Sequence, residues 1–498
     1  MHHNPAIPRQ HLRAFQTIYR KHTISCCTFA FVLAMNIKGS LWISAVLLLL
    51  VMGSCKKENF FTGSTTLSIS ADTVWFDTLF TRQAGTKYPI SITRIFSIKN
   101  KENGTVKVNL SLSGGKNSPF RINADGFAGP TITDLEIPAK DSVFVFVQCS
   151  LEANNQTMPA LVVDSLIATV NGNSQKTYLA AYGWDAHYYR SVQLNCNETW
   201  TDKTKPYVII ENALVAKGCT FTVKEGVTVY NSASSILIVQ GTLKIEGTAS
   251  EPVNFTGDKP VFAARFLPNQ WGGIYFTRGS VNNEIRFARI HNASIAVRVD
   301  SLPESGTWNL QLENSSLLYN GQAALAGITA NIRAENCLFG ESGSYSFLGF
   351  LGGNYDFKHC TFVGFNSFGP RKDGHFAITN TIRNSNGQIL KSAALSCAVV
   401  NSIIYGSLKE ELFVDNKGWE PFTTNITNNL IRSFDQPFAS NTYNKDPLFV
   451  KASDYNFELQ AGSPALDAGI TLSPPINTDL LGKPRDSKPD LGAYEKQP

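Results

Sequence analysis

Between Thr65 and about Arg190, apolar and polar residues alternate with period two, interrupted every few residues by Gly, Asn or Pro. In "TVKVNLSLSG", Val106, Val108, Leu110 and Leu112 share one face, the pattern of a half-buried strand. In "DSVFVFVQCS", Val143, Val145 and Val147 alternate with Phe144 and Phe146, so both faces of that strand are apolar. Repeated runs of this kind with no helical period predict a β-sandwich over 65–190.

Beyond "AHYYRSVQLNCNETW" the apolar runs shorten to 221–223, 227–229, 236–239, 243–245 and 253–255, divided by tight glycine turns. Such strands have no room to pair as hairpins, but they can stack on the next coil of a solenoid. A ladder follows in "IHNASIAV", "LENSSLLY", "AENCLFG", "FKHCTFV", "AITNTIR", "VVNSIIYG" and "ITNNLIRS". Its rungs are Asn292, Asn314, Asn336, His359, Asn380, Asn401 and Asn428, spaced by 22, 22, 23, 21, 21 and 27 residues. A period of this size is the signature of a solenoid coil. Equivalent residues then sit about 4.8 Å apart, and stacked amides are expected to bond up and down the ladder. The fold expected is all-β: a sandwich followed by a single-stranded parallel β-helix of about ten coils over 191–445.

The segments "EGVTVY…GTLKIEGTASEPVNFTG" and "QWGGIYF" resemble the first coils of the right-handed, pectate-lyase-like β-helix. The 65–190 unit resembles immunoglobulin-like modules that precede β-helices in exported bacterial proteins, although it has no Cys…Trp…Cys signature. The resemblance implies a spacer or docking role for that unit.

Charge changes the picture through its distribution. Of 44 basic and 39 acidic residues, residues 1–55 hold Arg9, Arg13, Arg20, Lys21 and Lys38 and no acid, so the remainder is balanced at 39 against 39. A neutral body with no basic stripe argues against a nucleic-acid partner, which needs an excess of Lys and Arg. In "MNIKGSLWISAVLLLLVMGSC", Lys38 precedes an apolar run that ends in Gly53, Ser54 and Cys55. This is signal-peptide anatomy, too short for a comfortable membrane span. Met52-Gly53-Ser54-Cys55 resembles a bacterial lipobox, which implies acylation of Cys55 and anchoring in the membrane. Residues 1–34 read as an upstream mis-start before Met35, 35–54 as the signal peptide and 55–64 as an acylated tether. Lys56, Lys57 and Glu58 partly resemble the charged export sequence of Bacteroidota-type surface lipoproteins, which implies outer-membrane attachment, with display on the exterior ahead of retention in the periplasm as the alternative.

Chemistry is sparse. His187, His291, His359 and His375 are scattered, without zinc-ligand spacing. His359 and Cys360 are adjacent, but neighbours on a strand point to opposite faces, so they read as stacked structural residues rather than a nucleophile and its base. The densest cluster, "GPRKDGHF", brings Arg371, Lys372, Asp373 and His375 into one loop as candidate catalytic residues, with a solvated turn as the structural alternative. Trp271, Tyr275 and Trp419 are candidate platforms for sugar rings.

The tail "DPLFVKASDYNFELQAGSPALDAGI…TDLLGKPRDSKPDLGAYE" resembles the closing segment of many exported bacterial β-helix proteins. Over 446–498 it is expected to lie across the open last coil and blunt its strand edges. Asp467, Asp479, Asp490 and Glu495 are calcium candidates, with turn capping the competing role; no other cofactor is expected. Cys196 and Cys219 are 23 residues apart, close to one coil, and are expected either to form a disulfide or merely to stack. Two functions stand open at this point. One is non-catalytic binding of glycans or other macromolecules along a surface rod. The other is a polysaccharide lyase or glycoside hydrolase working in a β-helix groove.

Overall fold

The computed structural model describes residues 59–82, 93–153, 157–259, 265–303, 306–365, 369 and 371–497. The leader, Cys55 and the tether as far as residue 58 lie outside the described residues.

The period-two segment folds as two five-stranded sheets. The first runs Ser68–Ile69, Arg94–Lys99, Ser142–Cys149, Phe120–Ala124, Phe127–Gly129 in spatial order. The second runs Thr73–Phe80, Asn173–Trp184, Ala160–Val170, Val106–Leu112, Thr131–Ile137. Alternation explains the core: Val106, Val108 and Leu110 of the second sheet and Phe120, Val145 and Val147 of the first are all 0% exposed. The same alternation sends Phe144 and Phe146 outward, at 58% and 40% exposure.

The strand Asn173–Trp184 passes through Asp185 and Ala186 into His187–Gln193, which already pairs in parallel with Tyr207–Val215. The sandwich therefore hands over to the second architecture within two residues. The rings of Phe80, Trp184 and Tyr230 pack at this junction with centroids 4.9–6.2 Å apart. Thr81 Oγ1 donates to the buried Asp185 carboxylate at 2.7 Å, and the Tyr188 hydroxyl donates to the Thr81 carbonyl.

From His187 to Tyr443 the chain forms one 25-stranded parallel sheet wound on itself as a β-helix. Each strand pairs with its equivalent one turn later; Ile236–Val239 lies under Gly273–Phe276, which lies under Ile295–Asp300. Inward residues stack as Leu237, Ile274 and Val297, then Val239, Phe276 and Val299, none more than 1% exposed. Close stacking excludes a side chain at Gly273: with φ at +118°, an added Cβ would meet the Ile295 carbonyl oxygen at 1.7 Å. A disulfide joins Cys196 to Cys219 in the first turns, with Cα atoms 4.7 Å apart.

The turns are unequal. Hydrogen-bonded equivalents are 22 residues apart at Asn309 and Asn331, 27 at Ala288 and Ser315, and 42 at Cys360 and Ser402. The long turn carries an inserted hairpin of Thr381–Arg383 and Ile389–Ser392.

The tail departs from expectation. Rather than closing the end of the rod, residues 446–497 run back along its side. Phe449, Phe457, Leu459, Ala465, Leu480 and Leu491 pack on outward apolar residues of successive turns, among them Leu318, Leu338, Ile403 and Leu430. Those strands are apolar on both faces ("LFG", "TFVG", "IIYG"), and the outward face must be covered by something. The tail is the strap that covers it.

Candidate functional sites

The ladder holds this strap. Glu313, Glu335, Lys358, Val400 and Thr427 are stacked strand ends, so the next residues, Asn314, Asn336, His359, Asn401 and Asn428, form one corner. All five are left-handed, with φ between 47° and 55°, a conformation Asn tolerates best among residues with a side chain. Their side chains do not bond along the ladder as a continuous amide stack. Asn314 Nδ2 donates to the Asp479 carbonyl, and Asn336 Nδ2 to the Thr478 carbonyl at 2.7 Å. Asn401 Nδ2 donates to the Ile470 carbonyl at 2.7 Å, and its Oδ1 accepts the Ile470 N–H at 3.0 Å. Along the ladder itself Asn401 bonds His359, and further bonds between turns come one residue later and inside, where Ser402 Oγ accepts the Cys360 N–H and Asn429 Oδ1 the Ser402 N–H.

Two expected rungs belong elsewhere. Asn292 follows Ala288–His291, whose partner is Ser316–Leu318, so it stacks at the corner of Tyr319; Phe287 (φ 45°) occupies the ladder position. Asn380 follows Phe376–Thr379 at another corner of the turn, where it bonds the Glu420 carbonyl and the Gly418 N–H. The inserted hairpin makes one turn of 42 residues pass for two of 21.

His359 and Cys360 are 1% and 0% exposed. The imidazole donates from Nδ1 to the Asp490 carbonyl at 3.2 Å and accepts at Nε2 from Asn401 Nδ2 at 2.9 Å. That fixes a neutral tautomer, and burial, with Arg485 second, holds its pKa at about 3. The Cys360 thiol donates to the Lys358 and Ala334 carbonyls. This is masonry.

The "GPRKDGHF" loop divides. Lys372 and Asp373 point to solvent, whereas Arg371 and His375 turn inward. Arg371 forks onto Glu411 at 2.8 and 2.9 Å, the His375 Nε2 lies 3.8 Å from the same carboxylate, and His375 Nδ1 meets Ser346 Oγ at 2.5 Å. Glu341 joins them, accepting the Phe365 N–H; burial raises its pKa to about 7 against the opposing pull of Arg371. Glu341, Ser346, Glu411 and His375 are 0–2% exposed. The constellation has acid, base and hydroxyl, but it is walled in. Of the four candidates, Lys372 and Asp373 sit on a solvated turn, as in the structural alternative, while Arg371 and His375 sit in a buried ion-pair network. Only His375 and Arg371 were legible as members; Glu341 and Ser346 come from the preceding turn and Glu411 from the following one.

Of the tail acids, Asp479 Oδ1 accepts the Leu481 and Lys483 N–H groups, and Oδ2 that of Glu495. Asp490 accepts from Asp467 and Lys496, and Glu495 from Asp490 and Arg485. These carboxylates serve as turn caps of the strap. Among the described residues no three His, Cys, Asp or Glu side chains gather as a metal site would require.

The aromatic candidates also separate. Trp271 is 1% exposed and donates from Nε1 to the His291 carbonyl, so its ring presents no face to a sugar. Tyr275 has Arg298 stacked on its ring at 4.8 Å, and its hydroxyl is bonded to Asp300. Neither serves as a platform, because the core and Arg298 occupy the ring faces. Trp419 is 64% exposed.

An aromatic surface not expected from the sequence lies on the second sheet of the sandwich. Trp75, Tyr178 and Tyr182 are 50%, 48% and 39% exposed on its outward side, with Ala180 between them directly beside Trp75. Trp75 and Tyr182 lie 18° from parallel with centroids 6.5 Å apart, and Lys176 Nζ sits 5.1 Å over the Tyr178 ring. "ADTVWFDTLF" and "KTYLAAYGWDA" contain these residues; what links them is a parallel pairing of strands about a hundred residues apart, which periodicity does not disclose.

No family model matches the chain, and no curated protein does. Among solved structures, a PapD-like domain of human CEP192 is similar at 11% identity and TM-score 0.17, over 25% of this chain and 89% of that one. The E. coli chaperone DraB is similar at 8% identity and TM-score 0.17, over 26% of this chain and 58% of that one. A family 123 glycoside hydrolase from Clostridium perfringens is similar at 10% identity and TM-score 0.19, over 28% of this chain and 31% of that one.

Proposed function

We propose that this chain is a lipid-anchored protein of the bacterial surface that binds polysaccharide without cleaving it. The observation that carries the binding reading is the platform of Trp75, Tyr182 and Tyr178: half-exposed rings, two of them nearly parallel, on the outward side of one sheet. Aromatic faces of this kind match the apolar faces of sugar rings, and the tyrosine and tryptophan tips supply hydrogen bonds to hydroxyls. Non-catalytic action is supported by the burial of Arg371, His375, Glu341 and Glu411. Anchoring is supported by the sequence Met52-Gly53-Ser54-Cys55.

A glycan array with product detection tests the reading. Wild type should retain a polysaccharide and release no oligosaccharide, and Trp75→Ala with Tyr182→Ala should weaken retention roughly tenfold per ring lost, about 1.4 kcal/mol each. Released product would overturn the non-catalytic assignment. Cys55→Ala should move the protein from the membrane to the soluble fraction.

A further inference from the structure

The first sheet of the sandwich presents a second outward surface of different character. Ile95, Phe144 and Phe146 are 56%, 58% and 40% exposed. Phe146 lies directly opposite Ile95, and Phe144 opposite Ser97. The remaining outward positions on Arg94–Lys99, Ser142–Cys149 and Phe120–Ala124 are Lys99, Ser142, Gln148, Arg121 and Asn123: two cations, no carboxylate. Contiguous large apolar side chains without cover mark an interaction surface. Cationic flanks beside exposed phenylalanines are the composition that settles at a lipid headgroup boundary.

Chain length selects the occupant. Cys55 precedes Phe60 by five residues, a link of at most about 18 Å when extended. Phe60 bridges to Thr105, and Ser68, soon after it, pairs with Lys99 at one end of this same surface. An acyl chain on Cys55 would hold the sandwich against the bilayer at high effective concentration. We infer that the outward surface of Ile95, Phe144 and Phe146 docks on the lipid headgroups of the membrane in which the chain is anchored. The inference rests on acylation of Cys55, and it leaves the platform of the opposite sheet facing away from the lipid.

The experiment uses the full acylated chain in vesicles of phosphatidylethanolamine and phosphatidylglycerol. Cys149, Cys337, Cys360 and Cys397 are buried and Cys196 is bridged to Cys219, so an added surface thiol can be labelled selectively. An environment-sensitive fluorophore is attached to Phe144→Cys or, on the opposite sheet, to Val163→Cys, which replaces a residue 53% exposed. Emission at position 144 should rise several-fold in vesicles and be quenched by spin-labelled lipid, while position 163 stays flat. Equal behaviour of the two positions in a chain whose N-terminal peptide carries acyl mass overturns the docking surface and leaves the anchor standing. An N-terminal peptide without acyl mass overturns the anchor and the inference with it.

Discussion

His359 shows how much a single corner residue carries. Its folded pKa of about 3 lies below the ordinary value near 6.5, so as pH falls the unfolded chain takes the proton first. The stability contributed by the neutral ring is complete above about pH 6.5 and is lost as pH falls towards 3; at pH 5 the loss is about 2 kcal/mol. His291 and His375, held at about 4 by burial, act in the same sense. Glu341 acts oppositely, because it keeps its proton up to about pH 7 in the folded state and so costs stability as pH rises to that point. His359→Asn restores the commonest residue of the ladder. Urea unfolding should show the difference in stability between pH 7 and pH 5 shrinking by about 2 kcal/mol; an unchanged difference would remove His359 from the acid response. That a recurring Asn position exists was legible, since Asn314, Asn336 and Asn401 repeat at the coil period; that the backbone there is left-handed was not. Which corner each Asn occupies was not, because several corners per turn accept Asn and spacing alone gives no angular position. Asn292 and Asn380 met the period and missed the corner.

At the scale of the element, the strap depends on Arg485. Its guanidinium is 1% exposed and bonds Glu495 at 2.9 Å, Asn336 Oδ1 at 2.9 Å and the Gly492 carbonyl at 2.9 Å. Arg485→Ala leaves the Glu495 carboxylate and the Asn336 amide without this partner, a loss on the order of 3–5 kcal/mol. Limited proteolysis should then cut between 465 and 495 while the circular dichroism of the rod persists; uncut tail would show that apolar packing alone retains it. The disulfide has its own readout. Four free thiols are expected among the described residues under denaturing, non-reducing conditions, and Cys219→Ser should cost about 3 kcal/mol on the chain-entropy view. The strands themselves were legible from alternation, because inward and outward environments differ sharply in a sandwich. The doubly apolar strands of the rod were legible as strands, but the identity of their outer cover was not: nothing local in "TFVG" says whether a helix, a loop or a tail lies on it.

For the whole molecule, the sandwich carries two unlike outer surfaces, one of tryptophan and tyrosine and one of phenylalanine and isoleucine, fused to a rod through Phe80, Trp184 and Tyr230. A solenoid without a strap is a one-dimensional object whose turns feel only their neighbours. Here Asn314 is bonded to Asp479 across 165 residues and His359 to Asp490 across 131. A chain ending at residue 445 should therefore lose more than its last turns. Hydrogen exchange should rise at Ser316–Leu318 and Leu338–Gly340, far from the cut, whereas exchange confined to the final turn would mark an ordinary solenoid.

The same strap sets a clock on folding. Loop closure over such separations is slow, and the covering segment is synthesised after every strand that it covers. Until it arrives, the strands it will cover expose apolar side chains on their outer side as well as their inner one. The folding chain thus carries a seam open along one flank, which gives a holding chaperone a defined stretch to recognise until the strap docks and the seam shuts.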